Sequence, residues 1–196
     1  DKPLVDPTCG SGTFCIEAAM MARQIAPGLR RTFSFEEWNW VDNRLIQEVR
    51  TEASKKINRD LVLDIMGTDI DARMVEIAKE NAQKAGVASD ITFKQMRVQD
   101  LRSDKINGVI ISNPPYGERL SDDAGVTKLY AEMGEVFEPL KTWSKFILTS
   151  DENFEKKFGR QADKKRKLYN GTLKVDLYQF FGERVRRQAT SEKGNI

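Results

Sequence analysis

The chain has 196 residues, of which 39% are hydrophobic and 32% charged, and its formal net charge is +2. This length and composition suffice for one domain with one sizeable core. With no histidine and only two cysteines, the chain cannot form a Ser-His-Asp relay or an ordinary zinc site. The commonest hydrolase and deaminase mechanisms are therefore excluded, and we expect no metal.

Cysteine use and hydropathy indicate where the protein resides. Cys9 and Cys15 are six positions apart across a predicted loop and helix, so we expect no disulfide and a reducing, cytoplasmic location. The apolar runs are strand-sized, far short of the roughly 20 residues that span a bilayer, so we expect no membrane segment.

The first predicted element is a strand, a glycine loop and a helix. The sequence Asp6-Pro-Thr-Cys-Gly-Ser-Gly-Thr13 follows a short apolar strand and precedes an amphipathic segment from Phe14 to Ala26. Gly10 and Gly12 permit close approach of a ligand, and the helix N-terminus offers N–H groups to a carboxylate or phosphate. The loop lacks the G-x-G-x-x-G pattern and the P-loop lysine, which disfavours dinucleotide and nucleoside-triphosphate binding. Cys9 is predicted to be a packed residue rather than a nucleophile.

An insertion follows the first helix. In a plain nucleotide-binding βαβ unit the ribose-binding acid lies roughly 20 residues past the glycine loop, whereas Asp6 and Asp69 are 63 positions apart. Residues 28–60 contain Arg30-Arg31, four aromatic residues between 33 and 40, and a charged helix at about 42–58. The aromatic residues could stack on bases, but we favour packing that pins the insertion to the sheet.

Two aspartates follow the run Leu61–Ile65, which is predicted to belong to the second strand. Asp69 ends this strand and remains free to bond a ribose, whereas Asp71 is predicted to cap the next helix, which stops at Gly86. A third strand, Ile91–Met96, runs toward Asp100, whose carboxylate could accept from an adenine amino group.

The tetrapeptide Asn113-Pro-Pro-Tyr116 follows an apolar strand at residues 108–112. Proline carries no N–H, so backbone carbonyls stay available as acceptors, Asn113 adds a side-chain acceptor, and Tyr116 adds a stacking face. Such a group can grip a flat ring that bears an amine, although the tetrapeptide could also be an ordinary turn. Glu118 and Arg119 could take up a proton or touch a phosphate, but we favour capping or solvent pairing.

The last third of the chain carries core elements and a basic end. A helix at 127–140 and a strand at 146–149 are predicted, and Asn170-Gly171 indicates a hairpin of strands 165–169 and 172–181 at the sheet edge. Residues 155–196 hold 12 Lys and Arg against 5 Asp and Glu. These charges could contact phosphates or could form a solvated hairpin face followed by an unstructured tail. The basic clusters are Lys156-Lys157, Arg160, Lys164–Lys167 and Arg184–Arg187.

These residues together resemble the class I S-adenosylmethionine-dependent methyltransferases. Within that class the chain is similar to bacterial RNA methyltransferases that carry an N-terminal THUMP domain and modify guanine N2 in 23S rRNA. The resemblance covers nearly the whole chain, and its most distinctive stretches are Asp6-Pro-Thr-Cys-Gly-Ser-Gly-Thr13, Ile25-Ala-Pro-Gly-Leu29, Asn113-Pro-Pro-Tyr-Gly-Glu118 and Ala162-Asp-Lys-Lys-Arg-Lys-Leu-Tyr-Asn-Gly171.

The resemblance implies a Rossmann-like α/β fold with a mostly parallel seven-strand sheet, helices on both faces and a terminal antiparallel hairpin. It implies a catalytic domain at residues 1–188 and a disordered tail at 189–196. It also implies that the chain is a fragment that lacks the upstream THUMP domain.

The resemblance further implies the cofactor, S-adenosylmethionine, and the residues that bind it. Asp6, Gly10 and Gly12 would line its methionine part, Asp69 would bind the ribose and Asp100 the adenine. The target base would be held by Asn113, Pro114 and Tyr116.

The expected activity is methyl transfer to the exocyclic N2 amine of a guanine in 23S ribosomal RNA. An adenine-N6 DNA methyltransferase would use the same pocket, and a non-catalytic RNA-binding module is a further alternative. The oligomeric state stays open.

Overall fold

A computed structural model describes residues 2–115 and 123–183. In chain order the strands are β1 (Leu4–Asp6), β2 (Ile65–Asp69), β3 (Ile91–Gln95), β4 (Val109–Ser112), β5 (Ser144–Thr149), β6 (Lys164–Asn170) and β7 (Leu173–Phe180). The α-helices are α1 (Thr13–Ala22), α2 (Asn43–Lys55), α3 (Ala72–Ala85), α4 (Asp123–Phe137) and α5 (Phe154–Phe158).

The strands form one sheet in the order β3-β2-β1-β4-β5-β7-β6. Strands β1 to β5 are parallel, and β7 is antiparallel to both β5 and β6. The strand order reverses on either side of β1, which is where open α/β sheets bind ligands beyond the carboxyl ends of their strands. The predicted seven-strand sheet with a terminal antiparallel hairpin is confirmed.

Helices cover the sheet on two faces, and each face has its own apolar core. On one face α1 and α3 pack on β2 and β3 around Cys15, Ala78 and Phe93. On the other face α4 and α5 pack on the central strands around Tyr130, Phe154 and Ile147. Because successive side chains of a strand point to opposite faces, β1 contributes Leu4 to the first core and Val5 to the second. In the described part of the chain no helix is long and apolar enough to cross a membrane.

Local chemistry explains where several helices begin and end. The Asp71 carboxylate accepts from the Arg73 N–H at 2.9 Å, and Gly86 ends α3 in the left-handed conformation, which confirms the predicted cap and stop. Helix α1 ends at Ala22 rather than at the predicted Ala26, because Gln24 adopts a φ of 57°. Helix α4 ends before Pro139, which cannot continue a helix.

The apolar run at residues 61–65 does not form the strand that the sequence predicts. Strand β2 begins only at Ile65, and the Val62 side chain is 93% exposed. The run belongs instead to the end of the insertion, where the Leu61 carbonyl accepts from the Arg23 guanidinium at 3.1 Å.

The aromatic residues of the insertion do not pin it to the sheet, so that prediction was wrong. Phe35, Trp38 and Trp40 are 43%, 50% and 78% exposed. Their rings contact one another instead, with the Trp38 and Trp40 centroids 5.1 Å apart. None of the residues of α2 is buried. The insertion therefore packs mainly against itself.

Arg23 closes the insertion at its base. Its guanidinium pairs with Asp90 and donates to the carbonyls of Asn58 and Arg59, each at 3.0 Å. The Arg23 carbonyl in turn accepts from the Asn58 N–H at 2.8 Å. One side chain therefore joins the end of α1, the return of the insertion and the start of β3.

We expect Arg23→Gln to lower the free energy of unfolding by about 2–4 kcal/mol, because it leaves the buried Asp90 carboxylate without its partner. Urea denaturation followed by circular dichroism measures the change. Arg73→Gln is the matched control, because it breaks the Arg73–Asp71 pair in a side chain that is 87% exposed. The control should leave the denaturation midpoint unchanged. Equal midpoints for the two variants would contradict the role given to Arg23.

Candidate active site

The candidate site lies at the carboxyl edge of the sheet, where neighbouring strands end side by side. The glycine loop follows β1, Asp69 ends β2, and Asn113 follows β4. Because β1 lies between β2 and β4, the fold brings these three segments together from distant parts of the sequence. The hydroxyls of Thr8 and Ser112, 2.6 Å apart, join the glycine loop to the end of β4.

The glycine loop has a shape that only glycine supplies at two positions. Gly10 and Gly12 have φ values of 52° and 84°, in the left-handed region that disfavours side chains. A Cβ atom on Gly12 would lie 2.9 Å from the Phe93 ring and 3.0 Å from the Ala78 methyl, whereas one on Gly10 would meet only the end of Met74 at 3.9 Å. Gly12 thus serves close packing, and Gly10 keeps open space beside the loop.

The sequence predicts that the Asp69 carboxylate is free. In the structure two backbone N–H groups tether it. One carboxylate oxygen accepts from the Gly10 N–H at 2.9 Å, and the other accepts from the Asp71 N–H at 3.0 Å. A carboxylate has about four lone-pair sites, so each oxygen can accept another hydrogen bond. The tether fixes the glycine loop to the end of β2 and orients the Asp69 carboxylate.

Asp6 is the most perturbed carboxyl group of the site. It is 2% exposed, and its oxygen accepts from the Thr8 N–H at 3.2 Å. Burial raises the pKa of Asp6 to about 7; the Thr8 hydrogen bond acts in the opposite direction, and the nearby Asp69 charge raises the pKa further. A cation placed beside Asp6 would favour its ionised form.

This raised pKa predicts that stability depends on pH. The ordinary pKa of the group is 3.8 and the folded value is about 7, so the folded state binds the extra proton between these values. The free energy of unfolding should fall as pH rises through this window, by at most about 1.4 kcal/mol per unit for one proton, and level off above it. Asp6→Asn removes the titrating group, so the difference in stability between wild type and variant should show this fall. Urea denaturation from pH 4.5 to 8 measures it, and a pH-independent difference would contradict the burial of a neutral Asp6.

Asn113 provides a buried acceptor at the same edge. Its Oδ1 atom is buried and has no hydrogen-bond partner in the described part of the chain. The following Pro114 is buried, and the Pro115 carbonyl accepts from the Tyr130 hydroxyl at 3.5 Å. Tyr116, the third residue predicted to hold a base, lies outside the described residues, as do Glu118 and Arg119.

Asp100 lies in a short 3₁₀ turn, Val98–Asp100, after β3. The chain leaves β3 across the end of β2, where the Met96 N–H donates to the Asp69 carbonyl at 2.9 Å. Asp100 is exposed, so its carboxylate is accessible at the edge where the sequence predicts it.

Cys9 is a packed residue, as predicted. It is 6% exposed, and burial followed by repulsion from Asp6 and Asp69 raises its pKa to about 12. A thiol with this pKa stays protonated at neutral pH. Thr68 is a polar residue that the sequence analysis missed: its hydroxyl oxygen is buried and unpartnered among the described residues. Its only signal in the sequence is a polar residue within an apolar strand.

The strand order, the glycine loop between β1 and α1 and the amide acceptor after β4 define a Rossmann-like methyltransferase of class I. Residues 1–179 match the profile of the RMKL-like methyltransferase domain, and the chain belongs to this family.

The chain is similar to part of each of two curated relatives and one solved structure. It is 52% identical over 191 residues to YpsC of Bacillus subtilis (strain 168), a proposed RNA methyltransferase, with 97% of this chain and 50% of YpsC covered. It is 41% identical over 209 residues to the ribosomal RNA large subunit methyltransferase K/L of Shewanella amazonensis, with 100% of this chain and 30% of that protein covered.

The crystal structure of SMU.472, a proposed methyltransferase complexed with SAH, superposes with a TM-score of 0.91 at 66% identity and covers 95% of this chain and 49% of that one. The chain spans about half the length, or less, of these proteins.

Proposed function

We propose that residues 1–188 form the catalytic domain of an S-adenosylmethionine-dependent methyltransferase that acts on the exocyclic N2 amine of a guanine in 23S ribosomal RNA. The family and the SAH-bound relative support methyl transfer. The name of the Shewanella relative supports large-subunit ribosomal RNA as the substrate.

The observation that carries this proposal is the buried Oδ1 atom of Asn113, which has no hydrogen-bond partner among the described residues. Leaving such an acceptor unsatisfied costs about 1–3 kcal/mol, so the position is suited to a donor that arrives with a ligand. An exocyclic amine supplies such a donor. The acceptor lies after β4, next to the strand that leads into the glycine loop, so a base held there would face that loop.

The residues around the glycine loop fit the cofactor. Gly10 leaves open space beside the loop, and the first N–H groups of α1 can receive a carboxylate. Asp6 is placed to balance a cationic group, and the oriented Asp69 carboxylate has capacity left for ribose hydroxyls. Asp100 would accept from the adenine amine. When bound, the cofactor supplies an electrophilic methyl group on a positively charged sulfur.

The protein contributes mainly by positioning the amine. Asn113 Oδ1 and the Pro114 carbonyl would each accept one N–H of the amine, and Tyr116 would stack on the ring. The amine is a poor nucleophile because its lone pair is delocalised into the ring. The hydrogen bonds to these acceptors strengthen as positive charge develops on the nitrogen. They therefore stabilise the transition state more than the ground state. The proton can then leave to water, and the protonated Cys9 takes no part.

Radiolabelled S-adenosylmethionine, incubated with the protein and unmodified 23S rRNA or DNA, tests the proposal once the labelled nucleoside is identified. We expect N2-methylguanosine from rRNA. N6-methyladenine from DNA would assign the same pocket to adenine, because Asn113 accepts from either amine. Cofactor binding without label in either substrate would indicate a non-catalytic RNA-binding module or a different substrate.

A further inference from the structure

The edge strand β6 carries four successive cations, Lys164 to Lys167, and all four are exposed. The strand pairs only with β7 among the described residues, so its outer edge has no strand partner in that part of the chain. The Asn113 site described above uses none of these charges.

Three of the four cations have no carboxylate partner in the described part of the chain. Lys165 pairs with Asp176 at 3.4 Å and lies over the Tyr178 ring at 4.7 Å, so its charge is already engaged. Within residues 2–115 and 123–183 no carboxylate forms an ion pair with Lys164, Arg166 or Lys167. A charged edge discourages strand pairing between molecules. Residues of either charge could serve that role, whereas all three of these residues are cationic.

Strand β6 runs toward the same edge of the sheet as the candidate site. Because β6 is antiparallel to β7, and β7 to β5, β6 runs parallel to the central strands. It therefore ends at the carboxyl edge, where the side chain of Tyr169 is 68% exposed. Three strand spacings of about 4.8 Å separate β6 from β4. This distance of about 14 Å is short enough for one RNA strand to reach both β6 and Asn113.

We propose that Lys164, Arg166 and Lys167 form a phosphate track that binds the backbone of single-stranded RNA flanking the target base at Asn113. Lys164 and Arg166 lie on the same face of the strand about 7 Å apart, and Lys167 lies on the opposite face, so the three cations flank the outer edge of β6 from both sides. This inference rests on the proposed RNA substrate, because it names the surface that would carry the strand into the site.

The salt dependence of RNA binding tests the track without methylation. A 20-nucleotide oligouridylate contains no guanine, so its binding reports backbone contacts whatever the target base is. Each phosphate contact to a single strand contributes about 0.7 to the slope of log K against log salt. The triple variant Lys164→Gln/Arg166→Gln/Lys167→Gln should lose about 2 from this slope and bind on the order of 10- to 100-fold more weakly at about 0.1 M salt.

A matched variant removes the same charge elsewhere. Lys55, Lys56 and Lys84 are exposed and form no ion pair with any described residue, so Lys55→Gln/Lys56→Gln/Lys84→Gln should keep the wild-type slope. An unchanged slope in the β6 variant, or equal losses in both variants, would overturn the track.

Wild-type protein provides a second test that needs no folded variant. Oligouridylate should protect Lys164 and Lys167 from acetylation and leave Lys84 reactive, and equal reactivity with and without RNA would overturn the proposal. Failure of guanine methylation alone would leave both readouts unaffected and would count against the proposed function only.

Discussion

Asn113→Ala should lower kcat for methyl transfer by about 10²- to 10³-fold, in the range measured when one donor to a transition-state charge is removed. The buried Oδ1 atom would otherwise accept an N–H that becomes more acidic as the amine attacks. Cofactor affinity should be unchanged, because the Asn113 side chain belongs to the base side of the site. Single-turnover methylation and calorimetric titration with S-adenosylhomocysteine measure the two quantities separately.

The same variant has an unusual expected effect on stability. Removing a buried acceptor that no described residue satisfies relieves its desolvation cost, so the free energy of unfolding should stay the same or rise. Asn39→Ala, at an exposed position of the insertion, is the control and should change neither activity nor stability. Full methylation by Asn113→Ala at normal cofactor affinity would rule out the role proposed for Asn113.

Gly12→Ala should lower the free energy of unfolding by about 3 kcal/mol and weaken cofactor binding at least tenfold. A left-handed residue with a side chain costs about 1–2 kcal/mol, and forcing a methyl group against Phe93 and Ala78 adds about 1–3 kcal/mol. Because Gly12 caps α1, any shift that relieves the contact also moves the glycine loop. Urea denaturation and calorimetric titration with S-adenosylhomocysteine measure the two effects.

Gly159→Ala separates the two causes. Gly159 has a φ of 82°, close to that of Gly12, but a Cβ atom there meets nothing within 4 Å. This control should cost only about 1–2 kcal/mol and leave cofactor affinity unchanged. Equal losses of stability in the two variants would show that crowding at Gly12 contributes nothing.

Local sequence chemistry predicts the elements whose ends are set by neighbours along the chain. Asp71 and Gly86 bracket α3 because the cap and the left-handed stop act within a few residues. The placement of Asn113 after β4 follows from an apolar run that stops at a polar residue, whereas Asp69 ends a strand that begins only at the last residue of the run before it. The position of β7 between β5 and β6 does not follow from such signals, which predict only an antiparallel hairpin at the sheet edge.

Contacts between distant segments account for what the sequence did not predict. The tether from Gly10 to Asp69 spans 59 positions, and the contact of Thr8 with Ser112 spans 104. The burial that raises the pKa of Asp6 depends on the same assembly. The predicted packing of the insertion's aromatic residues on the sheet was wrong because an alternating pattern suits both a packed and an exposed surface. Only the tertiary structure distinguishes the two kinds of surface.

The closed base of the insertion has a consequence for how the protein can vary. Arg23 and Asn58 hold the two ends of the segment together, so a change in length at its tip need not disturb the sheet. Loop-closure entropy grows slowly, by about 0.6 kcal/mol for each doubling of loop length. The tip at residues 37–40 is thus a natural place to lengthen the chain, attach a probe or graft a peptide, while the candidate site at the carboxyl edge of the sheet keeps its geometry.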